Sequence, residues 1–484
     1  MSREEPVNVF ARIRPNPPGV NYVPYELGPV KSSGVSQSIR IRSEDESVYQ
    51  FAFNGIFDYH SGQEDVYNLT TEPVVESFLG GYNGCVFCYG QTATGKTFTS
   101  SGSTTYESRG LIPRAIQQIF QRVKNDPTSQ VSVSFLEIYN DNGYDLLGTA
   151  DYRIPIEQWP KVSLQEDGCG NLLLKSLSKH TVASEKITFD LYFEGNQRRI
   201  ISSTPMNQAS SRSHCIFTIE LEIRNDDNST VRTSRLHIVD LAGSERVWKT
   251  GLSDQVLSEA KHINRSLHYL EHVIHALRKR RSSKSSEAPT PVSSISSLSG
   301  RVPHIPFRNS LLTLVLKDSL GGNSRTVMIA TISMQEESIG ETIATARFAQ
   351  RCSQVNTCVK VNEVVDYQRL SEKLMQENKA LAHQLGGPFK EGLIEKLEDG
   401  RYPSTDFQMT QVHQELDEFP KSIRELLNET NMNLTKLPRE YRKALLRRVL
   451  DEGLDTEVKS IGELCAIVQV LLAKLDQTVS QFVH

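Results

Sequence analysis

Long apolar runs are missing from this 484-residue chain. No stretch approaches the roughly 20 apolar residues that a membrane-spanning helix needs, so no membrane span is expected. A dominant charge sign is missing too. Lys and Arg number 54 against 58 Asp and Glu, a formal −4. No global field then draws the chain to nucleic acid, and any acidic partner must be met by a local basic patch. Cysteine is sparse: the seven residues are scattered, which excludes a disulfide-built scaffold and fits a reducing intracellular, cytoplasmic setting. The one C-x-x-C, Cys85 and Cys88, lies inside an apolar run with no second pair or His-x-x-x-His nearby. Its thiols therefore read as packed strand residues rather than zinc or redox ligands. The start, Met1 to Pro6, is too polar for a signal peptide.

What is present is an ordinary globular composition, 38% hydrophobic and 23% charged, over a length that suggests two or three units. The chain is organised around Gly90, Gln91, Thr92, Ala93, Thr94, Gly95, Lys96 and Thr97, which fit G-x-x-x-x-G-K-[ST]. The apolar run from Gly84 to Tyr89 reads as a buried strand before this loop. From Phe98 the chain is free of Pro for over ten residues and can open a helix. In that context backbone N–H groups converge on a triphosphate, Lys96 reaches the outer phosphates, and the Thr97 hydroxyl ligates magnesium.

Alternation over residues 7–14 places Val7, Val9, Ala11 and Ile13 on one face of a strand. Residues 49–57, 131–139, 214–223, 234–239 and 327–332 read as further strands. Helical spacing covers 63–79 and 339–351, and another helix starts near Arg109 with Pro113 in its first turn. Strands interleaved with helices over about 350 residues imply an α/β unit around a mixed sheet. Residues 281–300 are Ser- and Pro-rich and read as a mobile surface loop. Residues 366–385 turn helical but are too irregular for a coiled-coil seam. Residues 389–484 hold amphipathic helices whose last stripe, near 460–482, needs a partner surface.

Two stretches narrow the use of the loop. Asp240, delivered by a strand end, can hold a magnesium shell, and Gly243 offers an unobstructed N–H to a terminal phosphate. The hydroxyl pair Ser210 and Ser211 beside Arg212 suits metal coordination and charge stabilisation at the same oxygens. With these motifs in this order, residues 5–365 resemble a kinesin motor domain, a P-loop NTPase fold with a central mixed β-sheet flanked by helices. The likeness runs through Arg12-Ile-Arg14-Pro15, the loop, Asn207 to His214, Asp240 to Glu245, Glu259 to Leu267, His304 to Arg308 and Asp318 to Asn323. Leu191 to Asn196 followed by Arg199 is similar to the ninth kinesin class, whose members work in cilia and flagella.

The resemblance implies a motor domain over 1–351, a neck linker over 352–365, a neck helix over 366–386 and a helical C-terminal region over 389–484. It implies ATP and Mg2+ as cofactors. Arg12, Arg14 and Pro15 would frame the adenine, with Phe98 near the base. Ser211 would complete the metal shell begun by Thr97 and Asp240. Arg212 and Glu245 would pair over the lytic water, and Asn264 would order hydrolytic waters. Ala93 stands where many kinesins carry Gly or Ser; its methyl is compatible with ATP binding provided the position is not at φ > 0.

A helix over 256–279 is marked by Val256, Ala260, Ile263, Leu267, Leu270, Ile274 and Leu277 on its buried side. Lys261, Arg265, His268 and His272 follow on another. Arg278, Lys279, Arg280, Arg281 and Lys284 make a basic cluster running into the Ser-rich loop. The resemblance turns this face, with His304 and Arg308, towards the acidic tails of tubulin. Leu311 and Leu314 replace the usual basic residues and are expected to be exposed. Val355 would enter a docking pocket, Asn362 would be a latch, and residues 2–6 a cover strand, the arrangement of plus-end-directed motors. Two readings stay open: a microtubule-stimulated ATPase motor on the cytoskeleton of the axoneme, or a weakly motile microtubule-bound structural component. The C-terminal helices would then join a second copy or an axonemal partner. An unrelated small-molecule kinase would lack the serine run and the linker.

Overall fold

The run Gly84–Tyr89 is apolar at every position, the pattern of a strand covered on both faces, and all six residues are buried. In the computed structural model of the chain it lies in the middle of a mixed sheet. Parallel neighbours are Arg325–Ile332 on one side and Thr230–Asp240 on the other. Beyond Arg325–Ile332 come Asn8–Ile13 and Val48–Phe57, also parallel. Beyond Thr230–Asp240 the direction reverses through His214–Asn225 and Ser129–Tyr139. The structure describes residues 3–30, 34–42, 46–124, 126–166, 172–202, 212–225, 230–245, 254–285, 304–365 and 371. The chain divides into two compact units, Met1–Leu374 and Met375–His484. The expected neck helix, apart from residue 371, and the C-terminal helical region lie outside the described residues.

Alternation sorts the core. Val7, Val9, Ala11 and Ile13 pack in one cluster, whereas Phe10 packs in the cluster on the opposite face. Cys85 and Cys88 fall into these separate clusters by the same odd spacing, so the two thiols face away from each other. Burial pushes the Cys85 thiol up to about 12, and both cysteines are packed and free.

The helices depart from expectation in informative ways. Residues 63–79 are helical throughout but widen into a π-turn at Tyr67–Thr71. That turn precedes Pro73, which has no N–H for the carbonyl four residues back. The helix after the glycine loop is short, Lys96–Ser100. The chain then turns back at Gly102, φ +86°, whose N–H bonds Thr97 O at 3.3 Å. The next helix, Leu111–Val123, carries Pro113 in its first turn. The long helix Asp254–Ser285 outruns the expected 256–279 and takes in the basic run. The first residues of the expected loop, 281–285, are therefore helical, and the rest of it lies outside the described residues. Leu267, Leu270 and Ile274 of that helix are buried. The expectation of two exposed leucines fails. Leu311 is 8% exposed and joins the core, with its N–H bonded to Asp141 Oδ1 at 2.9 Å, and Leu314 is half-buried.

After the helix Ile339–Cys352 the chain lies along the sheet in two short strands. Asn356–Val359 pairs antiparallel with Arg3–Pro6, and Glu363–Val365 pairs antiparallel with Thr230–Arg232. Glu5, within Arg3–Pro6, is held by a two-pronged bond from Arg325 at 3.0 and 3.1 Å.

Candidate functional site

The glycine loop leaves the carboxyl end of Gly84–Tyr89, beside the carboxyl ends of two parallel neighbours, where open α/β sheets bind ligands. Gly90 is required by crowding: a Cβ there would lie 2.2 Å from Thr331 O. Gly95 caps the short helix at φ +103°, and a Cβ there would meet nothing within 4 Å. The loop is thus tight against the sheet at one end and open at the other. Ala93 sits at φ +65°. The condition set for a tolerated methyl is not met, although the side chain points to solvent and a left-handed alanine costs only about 1–2 kcal/mol.

Lys96 is buried in the loop, its Nζ donating to Gly90 O and Gln91 O at 2.9 Å each. Burial lowers its pKa, against the pull of Asp240 and Glu245. The Thr97 hydroxyl donates to Asp240 Oδ2 at 2.6 Å. Asp240 Oδ1 is buried with no hydrogen-bond partner among the described residues. Burial raises the Asp240 pKa while Arg199, Thr97 and Lys96 oppose the shift. Arg199 Nη1 stands 3.8 Å from Asp240 Oδ2 and donates to Cys215 Sγ at 3.0 Å. A threonine hydroxyl beside a buried carboxylate with one spare oxygen is the donor set of a hard divalent cation that keeps its waters. The residues present therefore fit Mg2+. The glycine loop above them, with Lys96 at its base, fits phosphate.

Around this centre the other expected residues are placed unevenly. Arg12 turns inward, donating to Gln63 Oε1 at 2.7 Å and Thr99 Oγ1 at 2.9 Å, and lies 5.2 Å from the Phe98 ring centroid. Arg14 donates to Ala93 O at 2.5 Å, which ties Pro15 to the loop; Pro15 and Phe98 form an exposed rim. Thr94 Oγ1 bonds Gln91 O and Thr331 Oγ1 at 2.7 Å. The turn after Asp240 folds onto the loop: Ser244 N donates to Gly90 O at 3.1 Å. Glu245 accepts from Thr92 N at 2.8 Å and from Thr92 Oγ1 at 2.5 Å. Its carboxylate is thus spent on the loop and not on Arg212, the expected partner. Gly243 lies under this bridge, with Thr92 Oγ1 2.2 Å from where its Cβ would stand. Ser210 and Ser211 lie outside the described residues, as do the side chains of Lys261, Asn264, Arg281 and Lys284. Arg265, Lys279, Arg280, His304 and Arg308 are exposed and Arg278 half-buried.

At the far end of Thr230–Asp240, Val355 is 2% exposed, with its carbonyl accepting from Val7 N at 2.9 Å. Asn362 Nδ2 donates to Asn83 Oδ1 at 2.9 Å, and its Oδ1 accepts from Asn323 at 2.7 Å. Sequence reasoning missed Thr92 as the Glu245 partner, and Gln63 and Arg199 as contributors. Gln63 and Thr92 carried no signal, since a glutamine at a helix start and a threonine in a loop are commonplace. Arg199 stood inside a run already noted, but nothing in spacing shows that it turns inward.

The family profile for the kinesin motor domain matches residues 20–355. The chain is 34% identical over 473 residues to the mouse (Mus musculus) kinesin-like protein KIF9, covering 93% of this chain and 56% of that protein. It is 36% identical over 399 residues to kinesin-like protein KLP1 of Chlamydomonas reinhardtii, covering 79% and 47%. The chain spans about half the length of the curated relatives it matches. Among solved structures, a fast kinesin superposes with a TM-score of 0.63 at 33% identity, covering 74% of this chain and 94% of that one. A KIF14 dimer with AMP-PNP in complex with a microtubule gives 0.63 at 30% identity, covering 74% and 97%.

Proposed function

Because the chain belongs to the kinesin motor-domain family and is KIF9-like, we propose that it is a microtubule-stimulated ATPase that moves along microtubules. The observation that carries this reading is the Thr97–Asp240 pair at the foot of the loop, with Asp240 Oδ1 left over as a buried acceptor. Magnesium, when bound there, would supply charge neutralisation to the phosphates of ATP. Thr97 and Asp240, with Ser211, are the residues that would hold it. Lys96 exchanges its two loop carbonyls for phosphate oxygens, which restores the charge partner that burial denies it. Arg14, Pro15 and Phe98 form the base-side rim, with Arg12 bonded inward to Gln63 and Thr99 behind it. Gly243 offers its N–H to the terminal phosphate, and Asn264 orders water.

Glu245 gives the cycle a second position. Bonded to Thr92 it closes the turn on the loop; released, it is available to Arg212. The segment 352–365 is the output, docked by its pairing with Arg3–Pro6 and Thr230–Arg232 and by the Asn362 bonds. A linker that follows the motor domain on its C-terminal side supports plus-end direction. Likeness to the ninth class supports work in cilia and flagella. Microtubules are the partner, met by Lys261, Arg265, Arg278 to Arg281, Lys284, His304 and Arg308. Steady-state ATPase with and without microtubules, followed by gliding on polarity-marked microtubules, tests the reading. We expect stimulation and plus-end motion. Stimulation without motion supports the structural component instead, and minus-end motion removes the linker argument.

A further inference from the structure

His214 opens the strand His214–Asn225 directly after the serine run, and its ring is 2% exposed. Nδ1 accepts the backbone N–H of Ala242 at 3.0 Å, which fixes the proton on Nε2. Nε2 then donates to Ser266 Oγ at 2.7 Å. The two partners belong to different machinery. Ala242 precedes Gly243, and Ser244 beyond it is bonded to Gly90 of the loop. Ser266 lies between exposed Arg265 and buried Leu267 on the helix Asp254–Ser285. One rigid ring thus joins the turn after Asp240 to the helix that carries the basic face.

We propose that His214 is a positioning residue that couples the Asp240–Glu245 turn to the helix Asp254–Ser285, and so sets how strongly the microtubule accelerates turnover. The proposal rests on the motor function above. Burial, reinforced by the Lys96 ammonium, lowers the His214 pKa to about 3. The ring therefore stays neutral and keeps a single tautomer at physiological pH, as a fixed strut requires. Movement of the helix is felt at Ala242 through two buried hydrogen bonds, where each lost bond leaves a desolvated group unpaired. A histidine that only fills the core would alter stability and leave the ratio of stimulated to basal turnover unchanged.

The test uses the full chain and two variants. His214→Asn retains an acceptor for Ala242 but is too short to reach Ser266. Ser266→Ala removes the hydroxyl at the other end. Each is expected to keep basal ATPase within about twofold and to lower microtubule-stimulated kcat about tenfold. The double variant is expected to be no worse than either single one. Full stimulation in Ser266→Ala, or parallel loss of basal and stimulated turnover, overturns the proposal. If His214→Asn does not fold, Ser266→Ala alone still decides. An unmodified chain that shows no stimulation at all overturns the motor reading itself, a different result from stimulated variants.

Discussion

At the scale of single residues, Ala93 is the position where local chemistry and loop geometry disagree. At φ +65° its methyl costs about 1 kcal/mol that glycine would not. Ala93→Gly is therefore expected to stabilise the fold by up to about 1 kcal/mol, reduced by the entropy glycine adds to the unfolded chain. Urea unfolding at equilibrium measures it, and unchanged or lower stability contradicts it. His214 supplies a pH signature. Its pKa is lowered on folding from 6.5 to about 3, so the unfolded chain binds the extra proton within that window. Stability from the neutral ring is complete above about pH 6.5 and is lost as pH falls towards 3. The stability difference between the unmodified chain and His214→Asn should shrink from pH 7 to pH 5, and thermal melts at several pH values read it. The loop motif and Asp240 were legible because their spacing is the chemistry. The Glu245–Thr92 bridge was not, since a carboxylate 153 residues along the chain from Thr92 names no partner until the chain is folded.

At the scale of elements, periodicity located nearly every central strand, because apolar runs and strict alternation leave few other solutions. Ends were less readable. The helix after the loop stops at Ser100 because Gly102 turns back on Thr97, a tertiary choice that the absence of proline did not reveal. The basic run at 278–284 extends the helix, since Arg and Lys are good helix formers whatever loop follows. Leu311 was misjudged as exposed because the likeness to basic positions outweighed its hydrophobicity. The linker strands were legible only through resemblance, as short β-branched pieces with no pattern of their own. Their hold is concentrated at Asn362. Asn362→Ala removes two side-chain bonds and is expected to shift the docking equilibrium at least about tenfold towards release. Spin or fluorescent labels on the linker, read with a non-hydrolysable ATP analogue, measure that shift.

At the scale of the whole molecule, the net charge of −4 conceals a strongly uneven surface. Among the described residues of the helix Asp254–Ser285, Arg265, Lys279 and Arg280 are exposed and Arg278 is half-buried. Attraction to an acidic polymer through such a patch is screened within about 8 Å at physiological salt. Microtubule affinity is expected to fall steeply as salt rises from 25 to about 150 mM. Replacing Arg278, Lys279 and Arg280 with alanine should flatten that dependence. Cosedimentation across a salt series checks both outcomes, and an unchanged slope places the contact elsewhere.

The pairing of residues 356–365 also fixes the order in which the chain would give way under tension. A pull applied beyond Val365 meets first the three exposed residues Glu363–Val365, paired with Thr230–Arg232. Only then does it meet Asn362, anchored by its side chain and by backbone bonds to Gly81 and Thr233. The four-residue pairing with Arg3–Pro6 lies behind that anchor. Mechanical yield is therefore expected in two stages: about 10 Å of chain freed at low force, then a plateau until the asparagine lets go. In an optical trap, one smooth extension without that pause would mean that the load is shared along the whole segment.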